Sequence, residues 1–168
     1  KPSHNLVSAY RTNSDGLPML DTFADEEYTV GSAQTVDPRL FVTVGVPGTP
    51  YMFNPSFMIA ESNAWSRSGG TFGYFVSLKQ NVDPALTDSY LYLCDSQWAS
   101  SMNRIVLRYA DVLLMRAEAQ AQLGQTSEAI ALVNQVRERA AGMATSSVVS
   151  NYSNKYGVHY AVGKYNGS

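Results

Sequence analysis

The chain has 168 residues, enough to bury a core of its own, and a formal net charge of −2. That balance leaves no basic footprint, so nucleic acid is not expected as a partner, and no apolar run approaches the roughly 18 residues of a membrane-spanning helix. Charged side chains make up only 15% of the sequence, so much of the polar surface must come from Ser, Thr, Asn, Gln and Tyr, a bias common among secreted and surface proteins. The single cysteine, Cys94, excludes an internal disulfide, and the opening KPSHNLVSAY has no apolar segment of the signal-peptide kind.

Residues 1–103 are heavily punctuated. SDG at Ser14–Gly16, DPR at Asp37–Arg39, VPGTP at Val46–Pro50 and SGG at Ser68–Gly70 are turn signals. Between them lie short strand-like runs: LFVTVGV (Leu40–Val46), rich in β-branched residues, and TFGYFVSLK (Thr71–Lys79), which alternates weakly. This region reads as short strands and ordered loops.

From Ile105 the pattern becomes helical. Ile105, Tyr109, Val112, Leu113, Ala117, Gln120 and Leu123 follow one face, and Leu107, Leu114 and Ala121 widen it. Gly124 suits a left-handed helix stop. Thr126 or Ser127 can cap a second helix, with Glu128 in its first turn. That helix carries Ile130, Val133, Val136 and Ala140 inward and ends at Gly142. So short a connection makes the two helices antiparallel neighbours. Residues 104–142 thus have the dimensions of one tetratricopeptide-like unit of about 34 residues, a unit that is stable only when packed on others. Its partners are expected to be helices outside this sequence or the loop-rich region. The tail, 143–168, is rich in Ser, Asn, Tyr and Gly; in YGVHYAVGKY, Tyr156, Val158, Tyr160 and Val162 alternate with Gly157, His159, Ala161 and Gly163 as in a strand.

The hairpin sequence carries a resemblance. RIVLRYADVLLMRAEAQAQLG (Arg104–Gly124) followed by EAIALVNQVRERAAG (Glu128–Gly142) resembles the signature of the SusD/RagB family of surface nutrient-binding lipoproteins of Gram-negative bacteria. The matching positions are Arg108 to Met115, Ala117 to Ala119, then Asn134, Val136, Arg137, Arg139 and Ala140. Upstream, PSHNLVSAYRTNSDGLP (Pro2–Pro18) and DPRL (Asp37–Leu40) resemble family segments in the family's order, extending the likeness over residues 2–142. The resemblance implies a mainly α (α+β) chain with the SusD-like fold: a tetratricopeptide-like hairpin with a loop-rich, partly β region built around it. It further implies that the chain corresponds to a C-terminal-half fragment of a longer protein, the hairpin being its last scaffold unit. Surface exposure at the outer membrane would depend on a lipid anchor that this chain lacks, Cys94 being internal.

Enzyme chemistry finds little support in the residues. His4 and His159 are far apart and show no ligand or triad spacing, so no metal and no cofactor are expected. Asp25, Glu26 and Glu27 read as a solvated turn, because adjacent carboxylates do not flank a substrate. Cys94 has no paired base and reads as a buried or inert thiol. Arg108 and Asp111, three apart on a helix, can pair and read as structural, tying the helix to neighbouring backbone; Arg137 and Arg139 also read as structural.

Loop aromatics are the better candidates. A sugar ring has an apolar C–H face and a hydroxyl rim; aromatic planes bury the former, while amides and guanidinium groups hydrogen-bond the latter. YMFNPSFMIAESNAWSRSGGTFGY (Tyr51–Tyr74) supplies this mixture. Trp65, Tyr51 and Tyr74 are the candidate stacking residues, with Asn63 and Arg67 as hydrogen-bonding partners; plugging a small core is the competing reading of Trp65. Trp98 reads as packing at the helix entry, and Tyr152, Tyr156, Tyr160 and Tyr165 as a half-buried strand. The function implied is a non-enzymatic glycan binder that delivers its ligand to a SusC-type TonB-dependent outer-membrane transporter. A peptide-binding relative and a protein–protein interaction module are the alternatives. Binding would show Trp65 and a nearby Tyr exposed together above a shallow groove; an interaction module would show Trp65 buried and the outer hairpin face apolar and exposed.

Overall fold

The computed structural model describes residues 2–51, 54–62 and 65–166. The chain is about 40% helical with small sheets and, among the described residues, no closed barrel, the mainly α, α+β character expected. In chain order the elements are α1 (His4–Ser8), β1 (Arg11–Thr12), β2 (Thr35–Val36), a 3-10 turn Pro38–Val42, β3 (Val44–Gly45), β4 (Pro50–Tyr51), β5 (Asn54–Met58), α2 (Gly69–Phe72), β6 (Val76–Ser77), α3 (Thr87–Tyr90), β7 (Leu91–Cys94), β8 (Gln97–Ser100), α4 (Tyr109–Gln122), α5 (Thr126–Ala144), α6 (Ser147–Tyr156) and β9 (His159–Tyr160).

The strand-like run 40–46 is mostly not strand. Asp37 accepts the Arg39 backbone N–H at 2.9 Å, and Pro38 presets the first helical φ, so a 3-10 turn forms through Val42. Only Val44–Gly45 pairs, with Val76–Ser77, the one extended piece of the run 71–79. The tail departs further from its strand reading. Ser146 caps α6 by accepting the Val149 N–H, Val149, Tyr152 and Tyr156 follow one helical face, and Gly157 ends the helix at φ 63°. The strand is confined to His159–Tyr160, which pairs parallel with β2, itself antiparallel to β1. A two-residue turn at Asp95 and Ser96, both with positive φ, joins β7 to β8.

The hairpin is present as α4 and α5. Helix α4 starts at Tyr109 rather than Ile105, because Arg108 is extended and its N–H is taken by the Asp111 carboxylate at 2.9 Å. Helix α5 runs through Gly142 to Ala144. Of the expected inner face of α4, Leu113 and Ala117 are buried, whereas Tyr109, Val112, Leu114 and Leu123 are exposed, as is Met115 beside them. The main core lies elsewhere: Val7, Val36, Leu40, Phe41, Val44, Val46 and Phe75 from the first half close around Tyr152 and Val158 from the tail. The hairpin docks on this body through α5, which packs on the Pro38–Val42 turn and on α6. Arg137 fastens it, donating from Nε to the Gly163 carbonyl and from Nη2 to the Gly16 carbonyl, each at 2.6 Å.

Candidate functional site

The segment rich in aromatics and amides is built on the β4–β5 hairpin and the loop after it. Ile59 is fully buried and anchors the loop base, with its N–H bonded to the Thr49 carbonyl. The Ser62 carbonyl accepts the Trp65 and Ser66 N–H groups, turning the chain, and the Ser66 hydroxyl closes the loop on the Gly73 carbonyl at 2.6 Å. This folding brings Trp65 over Tyr51, with ring centroids 5.7 Å apart and planes tilted by 39°. Both residues are half-buried, so the pair neither vanishes into the core nor stands free.

Tyr51 also faces polar groups. Burial raises the pKa of its hydroxyl, a hydrogen bond with Asn81 works against that shift, and the charge of Asp83 adds to it. Asn81 and Asp83 line an open cavity of about 450 Å³ together with Tyr90 and Asn103. Tyr51 therefore joins the Trp65 ring to the Asn81 amide and the Asp83 carboxylate, a set suited to a hydroxylated ligand with an apolar face.

Tyr74 is placed by a different contact. Its ring lies directly on the Cα of Gly69, where any side chain would collide with it. It lines a second open cavity, of about 960 Å³, with His4, Glu27 and Glu61. His4 Nδ1 lies 3.3 Å from the Glu27 carboxylate, and its ring meets Phe75 edge-on at 4.8 Å. Arg67 is exposed on the same loop, and Asn63 lies outside the described residues. Glu27 therefore faces His4 across this cavity, and Glu26 pairs with Arg11 at 2.9 Å, so two members of the acidic run have partners that no sequence spacing announced.

Two readings are corrected. Trp98 does not pack at the helix entry: it is 72% exposed on β8, because the β7–β8 hairpin stands off the body. Cys94, at the end of β7, is exposed rather than buried. The tail tyrosines divide. Tyr152 is in the core, its ring tilted against Phe41 at 5.2 Å and Tyr156 at 4.9 Å. Tyr160 is half-buried on β9, and Tyr165 lies under the Arg137 guanidinium at 5.1 Å. Burial raises the phenol pKa of Tyr28, Tyr152 and Tyr160, keeping them neutral. Among the described residues no three His, Cys, Asp or Glu side chains are grouped to hold a metal ion.

The architecture is that of a helical hairpin docked on a body that carries an aromatic loop. The model of the SusD family matches residues 1–162, and the chain belongs to that family. The match extends past Gly142, where the legible motifs stop, to include α6 and β9. The SusD-like protein P38 of Formosa agariphila is 47% identical over 60 residues, which cover 36% of this chain and 9% of that protein. Thus the matched stretch spans under a tenth of that relative's length. No helix among the described residues is long and apolar enough to cross a membrane.

Proposed function

We propose that this chain is part of a non-catalytic, surface-exposed receptor that captures glycans and hands them to a SusC-type TonB-dependent transporter. The lipid anchor implied for such proteins holds the receptor at the outer membrane. The observation that carries the glycan reading is the half-exposed Tyr51–Trp65 pair beside Asn81 and Asp83. One aromatic plane against the C–H face of a sugar is worth about 1 kcal/mol beyond its area burial, and the neighbouring amide and carboxylate match a hydroxyl rim. Tyr74 and Arg67, on the same loop, extend the surface available to a longer oligosaccharide; Asn63 completes the set of binding residues.

A second reading is favoured by one observation. The outward residues Tyr109, Val112, Leu114 and Met115 of α4 are exposed, as an interaction module would have them. The two readings part in a titration of tryptophan fluorescence with cello-, xylo- and maltohexaose and with a tryptic peptide pool. Glycan capture expects a saturable change with at least one hexaose. It expects affinity to fall about tenfold in Trp65→Ala and Tyr51→Ala and to be kept in Trp98→Ala. Saturation by peptides alone through the same pair would make the ligand a peptide. No response to either would leave the interaction module. Co-purification of the parent protein with an outer-membrane transporter tests the partner, and its absence under mild detergent would remove that part of the proposal.

A further inference from the structure

Four cationic side chains from four separate segments meet where the helical hairpin joins the body. Arg39 comes from the Pro38–Val42 turn, Lys79 from just after β6, Arg108 from the residue before α4 and Arg139 from late α5, and together they line a cavity of about 430 Å³. Two are already held. Arg39 grips Asp37 through Nε at 2.8 Å and Nη2 at 2.5 Å, and Arg108 reaches Asp111 through Nε at 3.4 Å and Nη2 at 3.3 Å. Among the described residues, no carboxylate lies within ion-pair distance of Lys79 or Arg139. The cluster therefore keeps a surplus of two positive charges, and the Nη1 donors of Arg39 and Arg108 are not engaged by any described acceptor.

Like charges gathered around a concavity repel one another, and the field they set up favours an anion. Lys79 registers this: burial first, and the charge of Arg108 second, lower its pKa from the usual lysine value. The rest of the lining is mixed. Leu114, Val136 and Met143 present an apolar wall, which suits the C–H face of whatever carries the anionic group.

We infer that this pocket is a subsite for an anionic group on a sugar, a carboxylate or a sulfate ester. Lys79 and Arg139 supply the unmatched charge, and Arg39 and Arg108, pinned by their aspartates, offer oriented donors. The anionic chemistry is read from the pocket itself; that the carrier is a sugar rests on the glycan reading above. The pocket shares no residue with the Tyr51–Trp65 pair, so an acidic oligosaccharide is recognised at two chemically distinct places.

Calorimetric titration of the whole chain with trigalacturonate, its methyl ester and galactose 6-sulfate tests this. Trigalacturonate is expected to bind, weakening as salt rises, with the methyl ester about tenfold weaker or worse. The double variant Lys79→Met/Arg139→Gln is expected to lose about tenfold in affinity at an unchanged unfolding midpoint, since neither side chain makes a hydrogen bond or ion pair among the described residues. Galactose 6-sulfate binding through the same two residues would extend the subsite to sulfate esters, and its failure beside a bound uronate would restrict it to carboxylates. The inference is overturned if neither anion binds, if the methyl ester binds as well as the acid, or if the double variant keeps full affinity. Acidic sugars bound through Lys79 and Arg139, with no neutral hexaose bound at Trp65, would sink the aromatic site and leave the anion subsite standing.

Discussion

Arg137 has relative exposure of 6% and, among the described residues, no carboxylate within ion-pair distance, yet it remains charged because its guanidinium donates to two backbone carbonyls and lies over the Tyr165 ring. Burial lowers its pKa without approaching neutrality at ordinary pH. Arg137→Met removes both donors and strands the Gly16 and Gly163 carbonyls, at an expected cost of about 2–4 kcal/mol in urea unfolding. Arg137→Lys recovers only part of this, since one ammonium does not span two acceptors fixed by separate loops. Gly16 stands on the other side of the same clamp. It has φ 73°, and a Cβ there would come within 2.8 Å of the Val162 carbonyl carbon. Gly16→Ala is expected to cost more than about 1 kcal/mol, and the double variant with Arg137→Met less than the sum, because both loosen one contact. The sequence marks Arg137 as structural through its place in the VRERA motif. Its partners stay hidden: Gly16 is 121 residues away, and nothing local records that approach.

Among the elements, α4 owes its starting point to a single carboxylate. Asp111 accepts the Arg108 N–H and faces its guanidinium, which together hold the Asp111 pKa below the ordinary 3.8. A depressed carboxylate pKa stabilises the fold in full above its ordinary value, and that contribution is lost as pH falls through the lower folded value. Amide exchange at the first turn of α4 is therefore expected to quicken below about pH 3.8 relative to mid-helix amides. In Asp111→Asn that pH step should vanish; a step that persists would mean another group caps the helix. The β7–β8 hairpin makes the opposite case. Trp98 is 72% exposed and Leu93 is 63% exposed, so Trp98→Ala is expected to change stability by under about 0.5 kcal/mol in the same urea assay. Legibility differed between elements for physical reasons. The α4–α5 pair is long, and its 3.6-residue period accumulates over many turns. Two-residue ladders such as β1, β2 and β3 leave no period to read. In the tail, Tyr152, Tyr156 and Tyr160 recur every four residues, a spacing that suits helix and strand alike. The αL turn at Gly157 divides them between α6 and β9.

At the scale of the molecule, the two ends of the chain close one core. The first half supplies Val7, Val36, Leu40 and Phe41, the tail supplies Tyr152 and Val158, and β9 extends the β1–β2 sheet. The aromatic loop was legible because Tyr51 and Trp65 lie in one segment whose composition announces it. The cationic pocket was not, because its four charges come from four segments that meet only in the fold. The same long-range closure makes the tail a test of the architecture. A chain ended at Ala144 would lose Val149, Tyr152 and Val158, each buried to 6% exposure or less, along with the β9 pairing and the Gly163 acceptor of Arg137. Three buried side chains at about 1.5–3 kcal/mol each, with a broken buried-arginine contact besides, consume most of the about 5–15 kcal/mol by which a domain is stable. The shortened chain is therefore expected to lose its near-ultraviolet circular dichroism and its cooperative urea transition. Far-ultraviolet helicity from α4 and α5 would persist in part, since each of those helices makes its backbone bonds locally. A sharp transition at the full-length midpoint would mean instead that the first half closes without residues 145–168, and that α6 and β9 merely lie upon it.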